Sequence, residues 1–187
     1  MTFGTFEAMR LTFRLALDTA DGQRFEEKLV LGAWTGEKTW HLVLKLLAYV
    51  LFYEQRPRIE EGIGWHFKPD LVTLDDRGAV ALWVDCGNIS PRKIERVATK
   101  VGGPGRFFIL KRQRREAERL RKLLDGKIKH PDRVHLLAFD VGVVDALGEA
   151  LDGTNRLSVR RGEDRIGLDL ENRRGRRRFE TSVLRVG

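Results

Sequence analysis

From Met9 to Leu17 every second residue is apolar: Met9, Leu11, Phe13, Leu15 and Leu17 fall on one face. Arg10, Thr12, Arg14, Ala16 and Asp18 fall on the other. A period of two predicts a half-buried strand. Asp21-Gly22 is a turn signal and Phe25 to Leu31 can return as a second strand, so the chain is expected to open with a hairpin. The pattern then becomes helical. From Trp40 to Tyr53 Leu42, Val43, Leu46, Leu47, Val50 and Leu51, with Leu44, Ala48 and Phe52, leave little polar surface, which predicts a core helix. Thr35 is placed to cap it, and Glu37 to complement its dipole in the first turn. Glu37, His41 and Lys45 recur every four residues and share a face. Two readings of that stripe stay open: a solvated line, or the border of a site to which Glu37 adds a ligand or base.

After Pro57 ends the helix, a connector with Gly62 and Gly64 leads to Pro69-Asp70, the run Val72-Thr73-Leu74, an Asp-Asp-Arg-Gly turn and the run Ala79 to Asp85. A hairpin centred on that turn pairs Leu74 with Ala79 and sets Asp70 opposite Trp83. Asp85 then becomes a diagonal neighbour on the same face as Asp70. The other face, Val80, Leu82, Val84 and Cys86, is apolar, so Cys86 is expected in the core. Ser90 as a cap and Pro91 at the first position begin a helix running to about Lys100. Arg106 to Leu110 and Val134 to Phe139 read as buried strands, with helices over Arg112 to Leu124 and Val143 to Leu151. Strand, helix, strand, helix, strand predicts an α/β sheet with a parallel crossover. Leu157 to Arg161, Ile166 to Leu170 and Phe179 to Val186 are three further strands, expected to join the opening hairpin as an antiparallel extension. With no linker, repeat or low-complexity segment, residues 1–187 read as one domain.

Composition narrows the function. The chain has 35 Lys and Arg against 27 Asp and Glu, a net charge of +8 that favours polyanionic partners such as nucleic acid, or an anionic membrane surface. Its single cysteine excludes a disulfide framework and a multi-cysteine zinc site, and suits a reducing, cytoplasmic setting. No apolar run is long enough for a membrane span, and the N-terminal residues lack a signal-peptide pattern.

The candidate chemistry lies between Pro69 and Lys100. Two carboxylates, Asp70 and Asp85, suit a hard cation such as Mg²⁺ or Mn²⁺. Lys93, Arg96 and Lys100 share the face of the following helix, where a cation can stabilise charge on a phosphate. Arg173, Arg174 and Arg176, in a turn with five arginines within positions 173–178, are a second candidate grip on phosphates. His41, His66, His130 and His135 show no ligand spacing and read as structural.

The combination of WHLVLKLLAYVLFYE, the Pro69-Asp70 pair, LWVDCG and a following basic helix resembles the YaeQ family, a divergent branch of the PD-(D/E)XK nuclease superfamily. The resemblance covers most of the chain. It implies a restriction-endonuclease-like mixed sheet flanked by helices and a metal-dependent nuclease. In that arrangement Asp70 is the first acid of the motif, Asp85 the second, and Glu37 the glutamate at the start of the first core helix. The motif lysine belongs at position 87, where this chain has Gly87. The resemblance makes Lys93 or Lys100 the substitute, with Glu37, Asp70, Asp85 and Lys93 as the catalytic set. The alternatives are a non-catalytic nucleic-acid-binding module and an interaction protein in transcription or stress response.

Overall fold

The computed structural model describes residues 7–19 and 21–187. In chain order its elements are β1 (Glu7–Asp18), β2 (Arg24–Trp34), α1 (Thr39–Leu51), β3 (Arg58–Ile59), β4 (Leu71–Leu74) and β5 (Val80–Cys86). Then follow α2 (Pro91–Lys100), β6 (Arg106–Lys111), α3 (Arg114–Leu124), β7 (Val134–Ala138) and α4 (Val143–Ala150). The chain closes with β8 (Thr154–Arg161), β9 (Arg165–Asn172), β10 (Gly175–Ser182) and β11 (Leu184–Val186). This is a mixed α/β fold. One sheet runs β10-β9-β8-β1-β2 and the other β11-β7-β6-β5-β4-β3, and each mixes parallel with antiparallel pairs.

Two cores explain the layering. Leu11, Phe13, Leu157 and Leu168 of the first sheet share a cluster with α1, with Val144 and Leu147 of α4, and with Leu82, Val84 and Cys86 of the second. Helices α1 and α4 therefore lie between the sheets. On the far side of the second sheet, Trp83, Phe107, Ile109 and Leu136 pack against Ile94 and Val97 of α2 and Ala117 and Leu120 of α3. A helix covered from both sides needs apolar residues all round, which is the pattern read from Trp40 to Tyr53.

Most expected elements form where the periodicities fall, and four details differ. First, β8 joins β1 parallel, Leu15 facing Leu157, so the terminal strands are not a wholly antiparallel extension. Strand β8 arrives from α4 and not through a hairpin, so no tight turn dictates its direction. Second, the run from Phe179 to Val186 splits: β10 pairs with β9, while β11 pairs with β7 in the other sheet. Asp140 fixes the transfer, its N–H donating to Thr181 Oγ1 at 3.0 Å and its Oδ2 accepting from the Ser182 N–H at 2.7 Å.

Third, α1 begins at Thr39 with Lys38 in the capping position, so Thr35 falls in the preceding turn and Glu37 stands just outside the helix. Glu37 instead closes that turn, its Oε2 accepting from the Trp34 N–H at 3.0 Å. Fourth, the β4–β5 loop holds three residues and not two. The Asp75 N–H donates to the Ala79 carbonyl, the Asp75 carboxylate accepts from the N–H groups of Arg77 and Ala79, and Gly78 takes φ +78. The strands then pair Leu71 with Val84, with a bulge after Thr73. Asp70 consequently lies beside Val84, to whose carbonyl its N–H donates at 3.0 Å, and not across from Trp83.

Candidate active site

Three segments converge at the C-terminal end of β5, the end at which open α/β sheets hold ligands. The turn before α1 brings Glu37, the approach to β4 brings Asp70, and the first turn of α2 brings Lys93. Ser90 begins α2 as read from the sequence: its Oγ accepts from the Lys93 N–H at 3.2 Å, and Pro91 occupies the first turn. Together with Trp40, His41 and Ser90 these residues line an open cleft of about 440 Å³. The positive end of α2 is at its wall, which suits an anion.

Asp85 lies beneath, fully buried. Its Oδ1 accepts from Lys93 Nζ at 2.7 Å, its Oδ2 from Trp83 Nε1 at 3.0 Å. Burial pushes its carboxyl up to about 6, against the pull of Lys93, and the Asp70 charge adds to the rise. Lys93 also donates to the Lys68 carbonyl at 2.9 Å, which pins its ammonium over the acid.

Asp70 is held differently. Its Oδ2 accepts from the Cys86 N–H at 2.6 Å and lies 3.5 Å from His41 Nε2, while Lys45 Nζ stands 3.9 Å from Oδ1. So Asp70 is tied to α1 and Asp85 to α2. Cys86 is in the core as expected, and burial raises its thiol pKa far from a nucleophile's range.

The stripe Glu37, His41, Lys45 is no solvated line; it borders this cleft. Lys45 is 2% exposed, with its ammonium bonded to Glu37 Oε1 at 2.5 Å and to Glu60. Burial works against the charge on Glu37, yet bonds from His41, Lys45 and the Trp34 N–H hold its carboxyl down at about 2. His41 carries hydrogen on both ring nitrogens: Nδ1 meets the Glu37 carboxylate and Nε2 the Cys86 carbonyl at 3.1 Å, both acceptors. Burial disfavours this imidazolium, but Asp70 and Glu37 outweigh it and raise its pKa to about 9.

That shift has a direction in pH. A group whose folded pKa exceeds its ordinary 6.5 lends its full stability below pH 6.5, and loses it as pH rises through about 9. In metal-free protein the His41 ring resonances are expected to titrate near pH 9 by NMR. A midpoint near 6.5 would contradict the imidazolium.

Glu60 was not singled out by the sequence, and neither was Lys111. Glu60 adopts φ +49, a left-handed conformation costly for a side chain, and its carboxylate meets Lys45 and Trp34 Nε1. No local signal marks it, because its partners are distant in sequence. Lys111, 5% exposed, donates to the Gly87 carbonyl at 2.6 Å, and burial lowers its pKa. The structure also accounts for Gly87. It has φ +72, and a Cβ there would lie 2.7 Å from Trp40 Cζ3. Position 87 has no room for the lysine that the nuclease resemblance expects there.

The remaining candidates lie elsewhere. Arg96 and Lys100 are exposed on α2, with Lys100 Nζ 4.9 Å above the Trp65 ring. Arg173, Arg174 and Arg176 line no part of the cleft. They occupy the β9–β10 end of the five-stranded sheet, where Arg173 pairs with Asp152, Arg174 donates to the Glu149 carbonyl, and Arg176 meets Glu171 at 3.0 Å. Among the described residues no group of three or more His, Cys, Asp or Glu is gathered to hold a metal, and no helix is long and apolar enough to cross a membrane.

Residues 7–176 match the family described as YaeQ protein. The chain belongs to the YaeQ family. Two solved members resemble this YaeQ chain over nearly its whole length. The YaeQ protein from Xanthomonas axonopodis pv. citri aligns with a TM-score of 0.71 at 18% identity, covering 94% of this chain and 97% of that one. The YaeQ protein from Pseudomonas syringae aligns with a TM-score of 0.72 at 17% identity, covering 96% of each. At such identities the likeness speaks for the shared fold of the family. No curated protein matches the sequence.

Proposed function

We propose that this YaeQ protein is a restriction-endonuclease-like member of the PD-(D/E)XK superfamily that hydrolyses nucleic-acid phosphodiesters with Mg²⁺ or Mn²⁺. The observation that carries the reading is convergence. Glu37, Asp70 and Lys93, from three separate segments, line one cleft at the end of β5, and Asp85 lies buried beneath it, bonded to Lys93. Asp70 and Asp85 offer hard carboxylate oxygens, the donor type a divalent cation of this class takes, and they are the residues that would hold it. Such a cation, when bound, supplies a polarised phosphoryl oxygen and a more acidic water.

The other roles belong to the chain itself. Lys93 lines the cleft and stabilises charge building on a phosphate, standing in for the lysine that Gly87 excludes. His41 is charged at neutral pH and presents a second cation beside Asp70. Glu37 fixes both His41 and Lys45 and so acts as a positioning residue. The test is cleavage of labelled single- and double-stranded DNA and RNA with Mg²⁺ or Mn²⁺, comparing wild type with Asp70→Asn. The expected loss is about a hundredfold or more, with an unchanged circular dichroism spectrum. Equal activity in both proteins sinks the assignment.

One observation favours a second reading, a binding module without catalysis. Asp85 is fully buried and already ion-paired to Lys93 at 2.7 Å. That reading predicts nucleic-acid binding that weakens with salt, needs no metal and persists in Asp85→Ala.

A further inference from the structure

The outer face of the five-stranded sheet carries a charge arrangement that folding alone does not explain. Most of its charges cancel across strands. Arg24 pairs with Asp18 and Glu26, Arg160 and Arg178 with Asp169, Arg176 with Glu171, and Arg165 with Glu180. Arg10, opposite Gly32, departs from this, and so does one whole row. Lys28, Arg14 and Arg156 stand directly opposite one another on β2, β1 and β8, all exposed. None of the three has an ion pair or side-chain hydrogen bond among the described residues. Directly opposed like charges destabilise a sheet. The carboxylate beside them, Glu171 opposite Arg156, is already bonded to Arg176. The row spans two strand spacings, roughly 10 Å. At one end Arg14 and Arg156 border a cleft of about 530 Å³.

A second observation lies at the end of β2. Trp34 is 40% exposed there, with its Nε1 donating to Glu60 at 3.0 Å and Lys68 Nζ 5.9 Å above its ring. It follows Lys28 by six residues, roughly 20 Å along the strand, and only Val30 and Gly32 stand between them on that face. Beyond it, the Trp34 N–H is bonded to Glu37 of the cleft described above. Cations for a backbone and an indole for a base are what single-stranded nucleic acid requires. An anionic membrane fits less well. The next row along the strands carries Glu26 and Asp169, whose carboxylates an anionic lipid surface repels.

We propose that this sheet face binds the phosphate backbone of a single-stranded nucleic acid along Lys28, Arg14 and Arg156, with Trp34 stacking on a base. The surface is separate from the acids at β5, and binding here needs no metal and no cleavage.

The experiment measures fluorescence anisotropy of a short labelled oligothymidylate in EDTA, over about 50 to 200 mM salt. Arg14→Gln/Arg156→Gln is compared with wild type and with Arg24→Gln/Arg165→Gln, which removes the same charge from paired arginines of the same face. The first variant is expected to bind about tenfold more weakly or worse. Its slope of log affinity on log salt should be shallower by about 1.4, since each phosphate contact on a single strand contributes about 0.7. Its melting temperature should stay level or rise, because repulsion is relieved. Trp34→Ala should weaken binding with little change in slope, and the control variant should bind like wild type. Equal losses in the two arginine variants, or no binding by wild type, overturn the proposal. So does loss of binding to anionic phosphatidylserine vesicles in the first variant while oligonucleotide binding is retained. Because the assay contains no divalent ion, a protein that never cleaves but loses binding in this pattern keeps the inference and loses the nuclease reading.

Discussion

Lys45→Met is expected to lower stability by about 3 kcal/mol at neutral pH, the low end of what removing one partner of a buried ion pair costs. The methylene stem of Lys45 is buried and methionine can replace it. What methionine cannot replace is the ammonium. Glu37 and Glu60 both bond it, with side chains 8% and 20% exposed. Without it, two carboxylates face each other and Asp70 in a poorly solvated cleft. His41 still supports Glu37, but nothing reaches Glu60 from within α1. For a chain of this size the loss corresponds to a fall of roughly 6–12 °C in Tm.

The pH dependence tests the cause. Glu37 is held at about 2 in the intact protein, so its stabilisation is present above its ordinary 4.5 and fades as pH falls toward 2. In Lys45→Met that depression weakens, and the gap between variant and wild type should narrow as pH drops below 4.5. Thermal melts at neutral and acid pH read both effects. A loss below about 1 kcal/mol would place Lys45 with ordinary surface pairs and remove it from the site's architecture.

Gly87→Lys, which places a lysine where the nuclease resemblance expects one, is expected to destabilise by about 3 kcal/mol and to raise no activity above that of wild type. Two costs add. A left-handed backbone at φ +72 costs a non-glycine residue about 1–2 kcal/mol. A Cβ placed 2.7 and 2.9 Å from Trp40 Cζ3 and Cη2 forces the indole to move, an overpacking penalty of about 1–3 kcal/mol. The indole is confined, with Arg112 stacked 4.9 Å from its ring and His41 edge-on at 5.7 Å. Gly87→Ala should cost nearly as much, since both substitutions introduce the same Cβ. Trp40→Ala in that background should recover the contact part and leave the backbone part. A Gly87→Lys protein as stable as wild type would refute the account of why this position holds glycine.

Local chemistry made several elements legible. Alternation from Met9 to Leu17 wrote β1, and its return wrote β2. Ser90-Pro91 started α2 at its observed residue, and the apolar run after Trp40 announced a helix enclosed on all sides. The same rules stopped at the hairpin before Asp85. A turn sequence around Asp75 to Gly78 is compatible with two- and three-residue loops, and the choice rests on whether Asp75 bonds the N–H groups of Arg77 and Ala79. That choice moved Asp70 from opposite Trp83 to beside Val84. Likewise Phe179 to Val186 reads as one strand, because nothing local signals that Asp140 captures Thr181 and Ser182 and sends the rest to another sheet.

The sequence by itself determined that this chain is α/β, that Cys86 belongs to the core, and that Glu37, His41 and Lys45 share one side of a helix entry. Those properties follow from periodicity and residue chemistry, which act over a few residues. Only the tertiary structure decided what that side faces. Glu60 and Asp70 arrive from across the fold, and their charges turn a polar stripe into a buried network with an imidazolium at its edge. The lysine that the nuclease resemblance expects at position 87 is the sharpest case. Its absence was visible as Gly87, while the reason, a left-handed turn closed over by the Trp40 ring, depends on a helix end nearly fifty residues earlier meeting a strand end in space.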